Sequence, residues 1–171
     1  LVPSGTGGYW WYGPMVAAAR MTGMRAGELR GLTWSNVELA DDYEDEICGM
    51  IHVTQQITTH QKRVVFSGPK SAAGYRDLPV TRELAVLLEA QHRRLERHAL
   101  RRGPRNWDDH DLVFPNRSGR AAIGEAMLRT CKDVAHMADI EMPPNMISLR
   151  HTFASVMVDG GVPPHVVAEL V

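Results

Sequence analysis

Three short β-branched stretches crowd between residues 47 and 80, and helical periodicity lies on both sides of them. That arrangement narrows the possible folds sharply. Residues 47–57 alternate in part, residues 62–67 carry Val64, Val65 and Phe66, and residues 75–80 end in Leu78-Pro79-Val80. Alternation and β-branching mark strands, and strands this close in sequence pair antiparallel, because a parallel crossover needs a longer connection. The expectation is a small three-stranded antiparallel sheet set into a helical chain, an α+β fold that is mainly α.

The flanking segments read as helices. Residues 1–13 look irregular, and Pro14 suits a first helical position ahead of Met15 to Met21. Thr22-Gly23 breaks that helix, and a second is expected from Arg25 to Leu32, held by packing because Gly27 and Gly31 weaken it. Thr81 is a good N-cap for a helix from Arg82 to Arg102, whose apolar residues Leu84, Leu87, Leu88 and Leu95 share a face before Gly103-Pro104 stops it. Leu112-Val113-Phe114-Pro115 looks buried, and Ile123, Met127, Cys131, Val134 and Ala138 mark a further helix. Ser148 is a candidate cap for a helix from Leu149 to Asp159, and Pro163-Pro164 opens a last one. A chain of 171 residues with no internal repeat fits one domain. The chain opens on Leu1 and closes at Val171 within an apolar stretch, so both ends read as cuts in a longer polypeptide.

Composition excludes several classes. No apolar run approaches the length of a membrane helix. Cys48 and Cys131 stand far apart, and the eight histidines show neither a finger spacing nor His-Glu-x-x-His, so no metal site and no cofactor are expected. The net charge of −1 is low for a free-standing DNA-binding domain. Charge is unevenly spread, however: residues 41–46 form an acidic block, read as a turn, and residues 92–105 a basic one, read as a solvated helix face.

Three segments hold cations suited to phosphate chemistry. In Thr22-Gly23-Met24-Arg25, the arginine sits at a helix start, and Glu28 shares its face and can orient it. Lys70 lies in the loop 68–74, where a lysine can act as a mobile acid. In Leu149-Arg150-His151-Thr152, Arg150 is expected in the first turn of a helix, where a guanidinium and the positive helix end suit a phosphate together.

The order and spacing of these segments resemble the tyrosine recombinase family, phage integrases included. Thr22, Gly23, Arg25, Glu28, Leu29, Leu32 and Trp34 match its first box. Lys70, Arg76 and Pro79 are similar to its hairpin segment, Val113-Phe114-Pro115 to its Val-Phe-Pro, and Leu149 to Ala154 to its second arginine box. The resemblance implies a helical catalytic domain of the DNA breaking-rejoining type that acts on double-stranded DNA. In that family a tyrosine attacks the scissile phosphate and forms a 3′-phosphotyrosine. Two arginines, here Arg25 and Arg150, would clamp the nonbridging oxygens, and Lys70 would protonate the leaving 5′-hydroxyl. The resemblance also implies a cytoplasmic protein of bacterial or phage origin. Self-association into tetramers on DNA is expected only of a full-length protein.

Two departures qualify that expectation. Ile147 stands where the family's box histidine would be, and it can neither hydrogen-bond a phosphate nor move a proton. His151 follows Arg150 directly, but the next residue on a helix is turned about 100° away, which makes it a poor substitute. The nucleophilic tyrosine is absent: Tyr9, Tyr12, Tyr43 and Tyr75 are all upstream and out of context. The chain alone is therefore expected not to cleave DNA. A non-catalytic DNA-binding relative is the alternative, with Ile147 as its best evidence.

Overall fold

The computed structural model describes residues 9–60, 63–69 and 74–171. Among them the order is α1 (Tyr9–Thr22), α2 (Ala26–Gly31), β1 (Val37–Leu39), β2 (Ile47–Val53), β3 (Gln56–His60), β4 (Arg63–Ser67), β5 (Arg76–Thr81), α3 (Arg82–Arg102), α4 (Gly124–Met137), α5 (Met146–Asp159) and α6 (Pro164–Leu170). The α+β, mainly helical expectation stands.

The sheet is assembled differently from expectation. Residues 47–57 are not one strand: β2 ends at Val53, and β3 begins a separate two-stranded hairpin with β4. The three-stranded sheet runs β1-β2-β5, antiparallel throughout, with Val37 opposite Ile51 and Ile51 opposite Leu78. The cause of the break is tertiary. Thr54 donates to the Asn36 side chain, and the Gln55 amide donates to the Gly31 carbonyl at 2.7 Å, so the chain leaves the sheet to lie on α2. Gly27 and Gly31 make that approach possible, since a Cβ at Gly27 would stand 2.9 Å from the Ile57 carbonyl oxygen.

The first helix also starts earlier than expected. It begins at Tyr9, not at Pro14, and Pro14 lies inside it. Proline there removes one backbone donor, and long-range contacts compensate. Trp11 Nε1 donates to the Pro115 carbonyl, Arg94 donates to the Trp11 carbonyl at 2.7 Å, and the Arg94 guanidinium lies 4.7 Å from the Trp11 ring centroid. Of the residues expected to be irregular, 1–8 lie outside the described residues.

A single core joins these layers. Met15, Ala18 and Ala19 of α1 meet Leu84 and Leu88 of α3, Met127 and Cys131 of α4, and Ile51 and Leu78 of the sheet, all buried. Val113 and Phe114 are buried as expected. Arg30 crosses from α2 to the Ala122 carbonyl and the Thr59 hydroxyl, a buried cation held by hydrogen bonds.

Candidate active site

Residues from both ends of the chain meet at the Thr22-Gly23 break. Gly23 has φ +63°, a left-handed conformation that ends α1 and suits glycine. Its bare Cα faces α5: a Cβ there would stand 2.5 Å from the Phe153 ring. Arg150, on the same helix as Phe153, donates from Nη1 to the Gly23 carbonyl at 2.7 Å. Arg150 and Arg25 are thereby fastened to positions two residues apart.

The location of Arg150 differs in detail from expectation. Ser148 is not the cap. Asn145 is, accepting from the backbone N–H groups of Ile147 and Ser148, while the Ser148 hydroxyl accepts from the Asn145 N–H. Because α5 starts at Met146, Arg150 lies past its first turn, and reaction with a phosphate would rest on its guanidinium more than on the helix end.

Arg25 stands just before α2, with half of its side chain (52%) exposed. Glu28, only 4% exposed, is saturated. Its Oε1 accepts from Arg25 Nη1 at 2.9 Å and from Arg76 Nη1 at 3.0 Å. Its Oε2 accepts from the Arg25 backbone N–H at 2.8 Å and from Arg76 Nη2 at 2.9 Å. Arg76 itself is 6% exposed, and its Nε donates to the Leu170 carbonyl at the end of α6. Burial alone pushes the Glu28 carboxyl up, but the hydrogen bonds from Arg76 and Arg25 and the charge of Arg76 outweigh it and hold the group below the usual carboxylate range. Burial, and then the charges of Arg25 and Arg76, bring Arg150 below the ordinary guanidinium value. Two guanidiniums thus hold one carboxylate, with the charge of Arg150 felt nearby, and the group carries a local excess of positive charge.

Beside them opens a cleft of about 730 Å³, lined by Arg25, Glu28, Gln56, Tyr75, Arg76 and Glu169 among others. Lys70 lies outside the described residues, while Pro69 and Gly74, on either side of its loop, line the same cleft. Arg150 does not line it. The His151 side chain is exposed and makes no hydrogen bond or ion pair among the described residues. Ile147 is 68% exposed at the start of α5, one turn before Arg150. Sequence reasoning missed Arg76 as a site residue. Its place in the hairpin segment was visible, but its partner lies 48 residues away. Among the described residues no cluster of three or more His, Cys, Asp or Glu is placed to hold a metal ion, and no helix is long and apolar enough to cross a membrane.

Comparison with known proteins gives the family and the fold. The sequence model of the phage integrase family matches residues 9–171. A tyrosine recombinase XerC-like protein of Caldanaerobacter subterraneus subsp. tengcongensis is 26% identical over 157 residues, covering 87% of this chain and 39% of that protein. An integrase of Streptomyces ambofaciens is 26% identical over 160 residues, covering 91% of this chain and 39% of its own length. The chain therefore spans well under half the length of these relatives. Among solved structures, the Tn1549 transposon integrase in complex with transposon right end DNA superposes with a TM-score of 0.71 at 19% identity, over 97% of this chain and 52% of that one. The XerH site-specific recombinase bound to difH substrate gives a TM-score of 0.65 at 21% identity, over 92% and 38% respectively.

Proposed function

The chain belongs to the phage integrase family, and from that premise we propose that it binds double-stranded DNA and supplies the phosphate-clamping part of a tyrosine recombinase catalytic domain. The observation that carries this reading is the meeting of Arg25, Glu28, Arg76 and Arg150 around one turn, with Arg25 half exposed at a cleft. A phosphodiester undergoing attack gathers charge on its nonbridging oxygens, and fixed charge aimed at such oxygens is usually the largest single catalytic contribution. Glu28 uses one Arg25 Nη and leaves the rest of that guanidinium for a ligand. In this reading Lys70 would protonate the leaving 5′-hydroxyl, and none of Tyr9, Tyr12, Tyr43 and Tyr75 would be the nucleophile. Action on DNA would place the protein in the cytoplasm of a bacterial cell.

The test is duplex binding measured by fluorescence anisotropy at several salt concentrations. Affinity is expected to fall as salt rises, because phosphate contacts release counterions. Arg25→Gln together with Arg150→Gln is expected to weaken binding about tenfold or more and to flatten the salt slope. Binding that ignores both salt and the double substitution would overturn the reading.

A further inference from the structure

We infer that Arg76 is a positioning residue for the Arg25 guanidinium, acting through the Glu28 carboxylate; the inference rests on the phosphate-clamp reading. Glu28 has room for about four hydrogen bonds, and all are taken: two by Arg25 and two by the fork of Arg76. A carboxylate gripped on both oxygens cannot rotate. It therefore offers the Arg25 guanidinium one oxygen, Oε1, while Oε2 holds the Arg25 backbone N–H, and the cation keeps the remainder of its fork for an anion in the cleft. Arg76 can hold this grip because it is itself fixed at its far side: Nε donates to the Leu170 carbonyl. The grip spans α2, the start of β5 and the end of α6, so Arg25 is oriented by elements remote from it in sequence.

Without Arg76, Glu28 would remain buried beside a single partner. It would turn both oxygens to the Arg25 guanidinium, neutralising that cation and competing with any phosphate. A lysine at this position would keep the charge but not the planar fork. Positioning by the fork and simple charge are therefore separable.

The experiment uses inorganic sulfate, which does not titrate where carboxylates and imidazoles do, and follows the backbone amide resonances of residues 23–28, present in every variant of the 171-residue chain, by NMR. Arg76→Gln is expected to lower sulfate affinity at neutral pH by about tenfold. It should also create a new pH dependence, with affinity recovering on acidification as Glu28 takes a proton and releases Arg25. Glu169 lines the same cleft and Arg150 stands close by in every variant, so their contributions cancel between profiles. Arg76→Lys is expected to lose affinity as well, whereas Arg82→Gln, which removes a charge at an exposed contact to the Glu44 carbonyl, is expected to lose none. A purely structural role would lower the melting temperature without the acid recovery, and that result overturns the inference. So does native affinity in Arg76→Lys. If the unsubstituted chain binds no sulfate, or binds it equally after Arg25→Gln, the phosphate-clamp reading itself fails. Should Arg76→Gln not fold, the native protein decides: the Arg76 Nη protons are expected to show hindered rotation, and free rotation overturns the proposal.

Discussion

Arg150 donates from Nη1 to the backbone carbonyl of Gly23 across 127 residues of sequence. That bond joins the break after α1 to the helix carrying the second arginine box, and Gly23 packs against Phe153 on the same helix. The relative placement of the two arginines is therefore a property of helix packing at one turn.

Gly23→Ala is expected to destabilise the chain by about 1–3 kcal/mol, since alanine at positive φ is strained and its methyl would press on the Phe153 ring. Urea denaturation measures it. Adding Phe153→Leu should recover part of the loss; no recovery would mean that backbone strain alone accounts for it.

Asn145→Ala removes the acceptor for two backbone N–H groups at the start of α5. The expected cost is about 1 kcal/mol. Because that end of α5 precedes Arg150, duplex affinity should fall as well. A loss of stability with unchanged affinity would separate the cap from the site.

Glu28→Gln leaves Arg76 buried without its charged partner and is expected to cost about 3–5 kcal/mol. The folded carboxyl is held below its ordinary value of 4.5, so its stabilisation is present above that value and is lost as pH falls through the lower, folded value. The glutamine variant should lack this part of the acid transition.

His52 spans the sheet, with Nδ1 2.7 Å from Asp77 Oδ1 and Nε2 3.4 Å from Glu38 Oε1. The hydrogen bond to Asp77, against a smaller effect of burial and aided by Glu38, raises the imidazole above 6.5. The contribution is fully present below 6.5 and fades as pH rises through the raised value. Melting temperatures across neutral pH should show this decline in the native chain and not in His52→Gln.

Ile147→His places an imidazole one turn before Arg150, on its face of α5. Sulfate affinity is expected to rise several-fold below about pH 6.5, where the imidazole is charged. An unchanged affinity would show that position 147 does not face the anion.

Local signals in the sequence carried far where the interactions are local. Thr81, the apolar spacing of Leu84, Leu88 and Leu95, and Gly103 sufficed to place α3, because a cap and a periodic face act within a few turns. The arginine boxes were legible for the same reason: Arg25 and Glu28 sit three residues apart on one helix start.

What the residues could not show locally was decided by partners distant in the chain. Residues 47–57 had strand character throughout, yet Gln55 bonds to Gly31 and splits them. Pro14 looked like a helix start, but Trp11, seated against Pro115 and Arg94, extends the helix back to Tyr9. Arg76 was visible as part of the hairpin segment, but its carboxylate partner appeared only when folding brought it to Glu28. The sequence by itself determined which residues could form helices, strands and cation boxes. Only the tertiary structure decided which cation holds which carboxylate, because that pairing depends on a buried geometry that no stretch of a few residues contains.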